Sequence, residues 1–279
     1  MSIWVLEHEP VLRLFSFSAI FIMMVFLEWL APDRVQRHPR SRRWPVNIGL
    51  VVVSNLAVRV LFPIAAVGIA TWSSVNHVGL LSVLHLPRFV ELILAIVILD
   101  GAIWLQHVAS HRIPLLWRLH LVHHTDLDLD VTSGTRFHPI EIVFSLLYKM
   151  LVVLALGPSA VAVVLFEILL NAMAVFNHAN VALPHALDSV LRWVIVTPDV
   201  HRTHHSVIAS EGHANFGFNL VIWDRLFGTY VHAPKRPLVL GLPHRQGTPP
   251  GLSGTLALPF TLPAQEAGLA SSTVEPSAV

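Results

Sequence analysis

FVELILAIVILDGAIWLQHVASH, residues 89–111, is the stretch that decides how this chain folds. From Phe89 to Leu105 it is apolar and long enough to cross a bilayer as a helix. Asp100 lies near its end. The same helix then runs without a break into His107-Val-Ala-Ser-His111. A spanning helix that delivers two histidines at its mouth predicts a membrane bundle with chemistry at one face.

Outward from it lie four more apolar stretches. One runs from about Val11 to Ala31. Another runs from about Val46 to Trp72, interrupted by Asn47, Asn55 and Arg59. Two more, roughly Ile142–Leu156 and Pro158–Phe176, are separated by Gly157-Pro158, a turn signal that makes them a hairpin. Composition agrees with a chain solvated by lipid. The 279 residues have a mean hydropathy of +0.65 and 13% charged residues, where soluble proteins carry about 25%. A formal net charge of +1 gives no basic face for nucleic acid. The absence of cysteine excludes disulfides, thiolate zinc sites and iron–sulfur clusters. The N-terminus, with Glu7 and Glu9, does not read as a cleaved signal peptide.

Orientation follows from the loops. Arg34, Arg37, Arg40, Arg42 and Arg43 fall between the first two stretches and place that loop in the cytoplasm. Counting crossings from there brings His107–His124, His178 and His201–His205 all to the cytoplasmic face. Histidine was not used in that count.

The 18 histidines equal Lys and Arg together. Eight of them form three clusters: His107 and His111; His120, His123 and His124; His201, His204 and His205. Positions three and four apart share a helix face, so each cluster presents two or three imidazoles in one direction. Thr197-Pro198-Asp199 forms a helix start just before the third cluster. His-x-x-His-His occurs twice, roughly 80 residues apart, which points to two equivalent metal positions. His178, in Phe176-Asn177-His178-Ala179-Asn180, is a ninth candidate at the same face.

Imidazole suits iron, zinc, copper and nickel. Eight or nine ligands exceed what a four-coordinate structural zinc uses. Two redox-active ions with open positions are able to bind and reduce O2. Carboxylates should then orient the imidazoles from outside, with Asp100, Glu141, Asp199 and Asp224 as candidates. His138 reads as an outer partner of the site, with direct ligation as the minority reading. His8, His38, His77, His85, His185, His213, His232 and His244 read as interfacial or loop residues. A zinc hydrolase is disfavoured because His-Glu-x-x-His is absent, and a metal transporter because its ligands belong at mid-membrane.

These motifs resemble those of the fatty acid hydroxylase superfamily, also called the sterol desaturase family. Its members share His-x3-His, His-x2-His-His and a second His-x2-His-His. The likeness extends to Pro114–His124, Arg136-Phe-His-Pro139, Asn177-His-Ala-Asn180, Asn215-Phe-Gly-Phe218 and Trp223–Thr229, and covers roughly residues 100–230. Two departures stand out. Gln106 and Val108 flank His107 where many members have an aromatic residue and an arginine, and Ala174 stands where some members have a further histidine.

The resemblance implies an all-α integral membrane helical bundle of about four spanning or hairpin helices, with a cytoplasmic histidine-rich cap. It implies two iron ions held by His107, His111, His120, His123, His124, His178, His201, His204 and His205, with zinc as a substitute in purified protein. Asn215 joins the outer partners. The implied reaction is O2-dependent hydroxylation or desaturation of a lipid drawn from the bilayer. Electrons would come from a ferredoxin-, rubredoxin- or cytochrome b5-type donor. The implied location is a bacterial inner membrane or endoplasmic reticulum. The alternative is a non-catalytic metal- or sterol-binding protein of the same fold. Residues 1–245 are expected to form a single domain, and 246–279, rich in Pro, Gly, Ser and Ala, a disordered tail.

Overall fold

The computed structural model describes residues 2–62, 64–84, 86–235 and 237–261. His85 therefore lies outside the described residues, as do positions 262–279 of the expected tail. Among the described residues the structure is helical throughout, with three isolated β-bridges and no sheet.

The chain opens with α1 (Ser2–Glu7) and α2 (Glu9–Leu30). Next come α3 (Arg40–Leu61), α4 (Ala66–Asn76) and α5 (Leu80–Leu84). The decisive stretch forms α6 (Arg88–Arg112), and Pro114 at the first turn starts α7 (Pro114–His124). The hairpin is α8 (Pro139–Leu156) and α9 (Ala160–His178). The cap adds α10 (His185–Leu191), α11 (Pro198–His204), α12 (Ala209–Gly212) and α13 (Ile222–Leu226), and α14 (Leu252–Thr261) follows.

Five stretches are long and apolar enough to cross a membrane: α2, the run Arg40–Leu84, α6, α8 and α9. The chain is an integral membrane protein. The second expected stretch, about 46–72, is not one helix. Phe62 leaves α3 with φ −130° and ψ 89°, because the residue before a proline, here Pro63, is pushed towards extended backbone.

The bundle has two distinct ends. At one, Gly157 ends α8 in the left-handed conformation (φ +61°), and a Cβ there would meet the Val78 carbonyl at 2.3 Å. Ser82 donates to the Gly157 carbonyl (2.9 Å), and Glu91 accepts from the Ser159 backbone (2.8 Å). Ala66, Ala70, Leu99, Val153, Ala162 and Phe166 build the main core between α4, α6, α8 and α9.

The other end holds every clustered histidine and the arginine loop. There the loop 125–135 turns three carboxylates inward. Arg43 forms a bidentate pair with Asp126 (2.9 and 3.0 Å) and donates to Asp130 (2.6 Å). Glu28 of α2 caps Val131 and Asn180 backbone N–H groups, both at 2.8 Å, and so ties the first helix to the loop and to the end of α9.

The expected tail is ordered over part of its length. Leu252 and Leu256, four apart on α14, share a face and pack with Leu258 against Leu50, Trp117, Leu121 and Val122. Burial of these leucines outweighs the Gly- and Pro-rich composition from which disorder was expected.

Candidate metal centre

The nine predicted imidazoles come together in two groups. His107, His111, His120, His124 and His204 form one; His123, His178, His201 and His205 form the other. Within each group the nearest nitrogens lie within 4.8 Å of one another, and every residue is buried. The groups touch: the His124 and His205 rings stack with centroids 4.4 Å apart.

The two His-x-x-His-His motifs do not map one to each group; each contributes to both. His120 and His124 point into the first group, whereas His123 joins the second. His201 and His205 point into the second, whereas His204 joins the first. Helical period explains the split. Residues four apart lie nearly on one line, and the residue between is rotated by most of a right angle or more. His107 and His111, also four apart, share the first group.

Backbone and carboxylate acceptors orient the rings. His107 Nδ1 donates to the Phe216 carbonyl (2.7 Å), His204 Nδ1 to Ala214 (2.7 Å) and His178 Nδ1 to Ala174 (2.8 Å). His120 Nδ1 faces Glu141 Oε1 at 2.6 Å. Each acceptor fixes the proton on Nδ1 and leaves Nε2 as a lone pair. Two such lone pairs, on His107 and His120, face each other at 3.1 Å. They cannot hydrogen-bond to each other, and a cation between them resolves the contact. His178 Nε2 likewise lies 3.1 Å from His123 Nε2 and 3.0 Å from His201 Nε2. His111 has no hydrogen-bond partner at either nitrogen, nor do His124 and His204 at Nε2. Orphaned, convergent, neutral nitrogens are the donor set a transition metal requires, so the residues present fit metal ions.

Burial keeps these donors neutral. It lowers the pKa of His123, His124, His201 and His205 well below the usual histidine value, helped by neighbouring imidazoles, and brings His204 down to about 3. Aromatic rings close the site. Phe137 stacks on His123 (4.4 Å, 9°), and Trp117 lies 5.0 Å from His111.

The expected outer partners separate. Glu141 touches a clustered imidazole directly. Asp224 acts at one remove: it accepts from the Phe216 and Gly217 N–H groups (2.9 and 2.7 Å), from Trp104 Nε1 (3.0 Å) and from Thr229 (2.6 Å). Asn215 adopts φ +53° and donates to the Val200 and Val231 carbonyls. Together these two residues shape the strap whose carbonyls hold His204 and His107. Asp100 accepts from Trp223 Nε1 (2.9 Å), not from an imidazole. Asp199 pairs with Arg192 (2.9 Å). His138 stands outside both groups: its Nδ1 caps α8 at Ile140 N–H and its Nε2 donates to Leu256. The carbonyls of Ala174, Ala214 and Phe216 were invisible to side-chain reasoning. Asn177, whose Oδ1 lies 2.6 Å from His178 Nδ1, sat in a motif already singled out.

A bundle of candidate membrane helices with two adjoining histidine groups able to hold metal defines a membrane protein of the histidine-box type. The fatty acid hydroxylase family model matches residues 92–229, just under half of the chain, and the relatives below support the same superfamily. An ornithine lipid hydroxylase of Rhizobium tropici is 31% identical over 175 residues, 63% of this chain and 52% of that protein. Alkylglycerol monooxygenases of Xenopus tropicalis and Homo sapiens are 30% and 26% identical, each over 52% of this chain and 31% of the relative. The chain thus spans about half the length of the first relative and under a third of the other two. No solved structure matches.

Proposed function

We propose that this chain is a membrane di-iron oxygenase that hydroxylates a lipid using O2 and electrons from an external donor. The pairing of a five-imidazole group with an adjoining four-imidazole group carries the proposal. His107, His111, His120, His124 and His204 would hold one iron; His123, His178, His201 and His205 would hold the other. Bound iron supplies the O2 activation that an unactivated C–H bond requires.

The protein's own contribution is orientation and exclusion of water. Glu141 and the carbonyls of Phe216, Ala214 and Ala174 keep Nε2 atoms aimed inward. Phe137, Trp117 and Phe216 wall the centre from solvent. No side-chain nucleophile is needed. The names of the relatives, hydroxylase and monooxygenase, favour hydroxyl insertion over desaturation. An amphipathic substrate with its headgroup at the interface suits a site at the mouth of the spanning helices. The arginine loop at the same end favours the cytoplasmic face of a bacterial inner membrane or endoplasmic reticulum. A ferredoxin-, rubredoxin- or cytochrome b5-type partner would deliver the electrons.

The test is metal analysis of protein in nanodiscs, followed by turnover with a reductant, isotopically labelled O2 and a membrane lipid extract. Iron at about two per chain and label in a hydroxylated lipid are the expected results. A single zinc without turnover would instead mark a non-catalytic metal- or sterol-binding member and end the proposal.

A further inference from the structure

Seven large apolar residues of the cap are turned outward. On and after α10 these are Leu187, Val190, Trp193 and Val194; at α13 they are Ile222, Leu226 and Phe227. Val190 and Leu226 are each 68% exposed and Trp193 is 69% exposed. None of the seven belongs to a candidate span. They form one surface, because the two segments are stitched together. Val196 N–H donates to the Asn219 carbonyl (3.0 Å) and Val221 N–H to that of Val194 (3.1 Å). Arg225 sits over the Trp193 and Tyr230 rings at 4.5 and 4.2 Å.

What α6 does with this surface fixes its depth. Trp223 donates to Asp100, and Phe227 stacks on Trp104 at 4.7 Å. Gly101 makes the approach possible, since a Cβ there would meet the Trp223 ring at 2.7 Å. Asp100 lies 12 residues beyond Arg88 and Trp104 lies 16, in a helix of 25. At the helical rise that is about 18 and 24 Å along α6, whereas the hydrocarbon core is about 30 Å thick. With Arg88 at the far boundary, the segment packed on Asp100–Trp104 therefore sits about 6 to 12 Å inside the near one. The exposed α6 residues Ile98 and Leu105 continue the apolar face into the spanning region.

We propose that α10, the Trp193–Val194 turn and α13 form a foot that inserts into the acyl-chain region of the leaflet on the histidine side. The occupant is lipid. Continuity with a spanning helix sets the depth, and an exposed apolar patch of this kind marks a membrane contact. The cap is thus half sunk in the bilayer rather than standing on it, and Arg225 reaches from the foot with its charge over two rings, as interfacial cations do.

Because the chain has no cysteine, single substitutions Val190→Cys and Leu226→Cys accept a fluorophore at one known place. Ile98→Cys on α6 reports the bilayer and Ser210→Cys, exposed on α12, reports water. In nanodiscs holding one chain each, acyl-brominated lipids should quench labels at 190 and 226 as strongly as at 98. A water-soluble quencher should reach only 210. Labels at 190 and 226 that respond like 210 would overturn the foot. So would labels shielded from both quenchers, which would mean that protein covers this face.

Discussion

The Nδ1 atom of His120 lies 2.6 Å from Oε1 of Glu141, in the first turn of α8. One element thereby supplies the imidazole and another decides where its proton sits. A ligand's outer carboxylate fixes its tautomer and raises its basicity, and losing one weakens metal binding by about 10–100-fold. Glu141→Gln should show that loss in a chelator competition at the first group, with little change in thermal unfolding of the metal-free protein. Unchanged retention would remove Glu141 from the site.

The strap at residues 214–217 makes a different demand. Asp224 accepts from three buried donors and from the half-buried Thr229 hydroxyl. Asp224→Ala strands them, and each buried donor left without a partner costs about 1–3 kcal/mol. The strap should move, and with it the carbonyls that orient His107 and His204. Thermal unfolding should therefore fall by at least about 2 kcal/mol and metal occupancy should drop together with it. Loss of metal at full stability would contradict this linkage.

Arg43 carries the largest expected stability effect. From α3 it pairs with both Asp126 and Asp130 of the loop, and all three are buried. Removing one partner of a buried pair costs about 3–5 kcal/mol, because the remaining charge has no compensation. Arg43→Met should unfold at lower temperature by that order, and Arg43→Met with Asp126→Asn should recover part of it. A double variant no better than the single would show that the two charges are not coupled.

These cases mark where the sequence was legible. The apolar run 89–105 and the histidine spacings are local patterns, and the count of crossings from the arginine loop brings the nine residues to one end of the bundle. The division of each motif between two groups is also encoded by the helical period, since His123 cannot follow His120 and His124 onto one line. Asp126, Asp128 and Asp130 gave no comparable signal. Their partners, Arg43, Arg37 and His38, stand some 80 to 90 residues earlier in the chain. The carbonyl strap was hidden for another reason: its acceptors are backbone atoms, which carry no residue identity. Asp100 was expected to orient an imidazole, but its partner is an indole of the cap.

Burial of neutral imidazoles makes the metal-free protein sensitive to acid. Burial lowers the His204 pKa from 6.5 to about 3, and lowers those of His123, His124, His201 and His205 well below 6.5. The unfolded chain then binds more protons than the folded one between those values, so stability falls as pH drops below about 6.5. Chelator-treated protein should melt earlier at pH 5 than at pH 7.5. Equal melting at the two values would mean that the imidazoles are already solvated.

The split motif gives the sharpest test of the site, because neighbouring residues should report different positions. His123 belongs with His178, His201 and His205, whereas His124 belongs with His107, His111, His120 and His204. His123→Ala removes one of four donors from its group, so it should lose metal there and leave the other group loaded. His123→Ala with His205→Ala strikes the same group twice and should lose little more than the first change alone. His123→Ala with His124→Ala strikes both, and metal per chain should fall further than in the same-group double. Ligands of one ion act as a unit and are not additive, whereas changes at separate sites add. The adjoining rings of His124 and His205 limit this separation, because they stack at 4.4 Å. The comparison to trust is therefore between the two doubles, measured as metal content on protein shown to be folded. If the same-group pair empties the centre as fully as the cross-group pair, the nine imidazoles serve one shared site and the division into five and four has no chemical meaning.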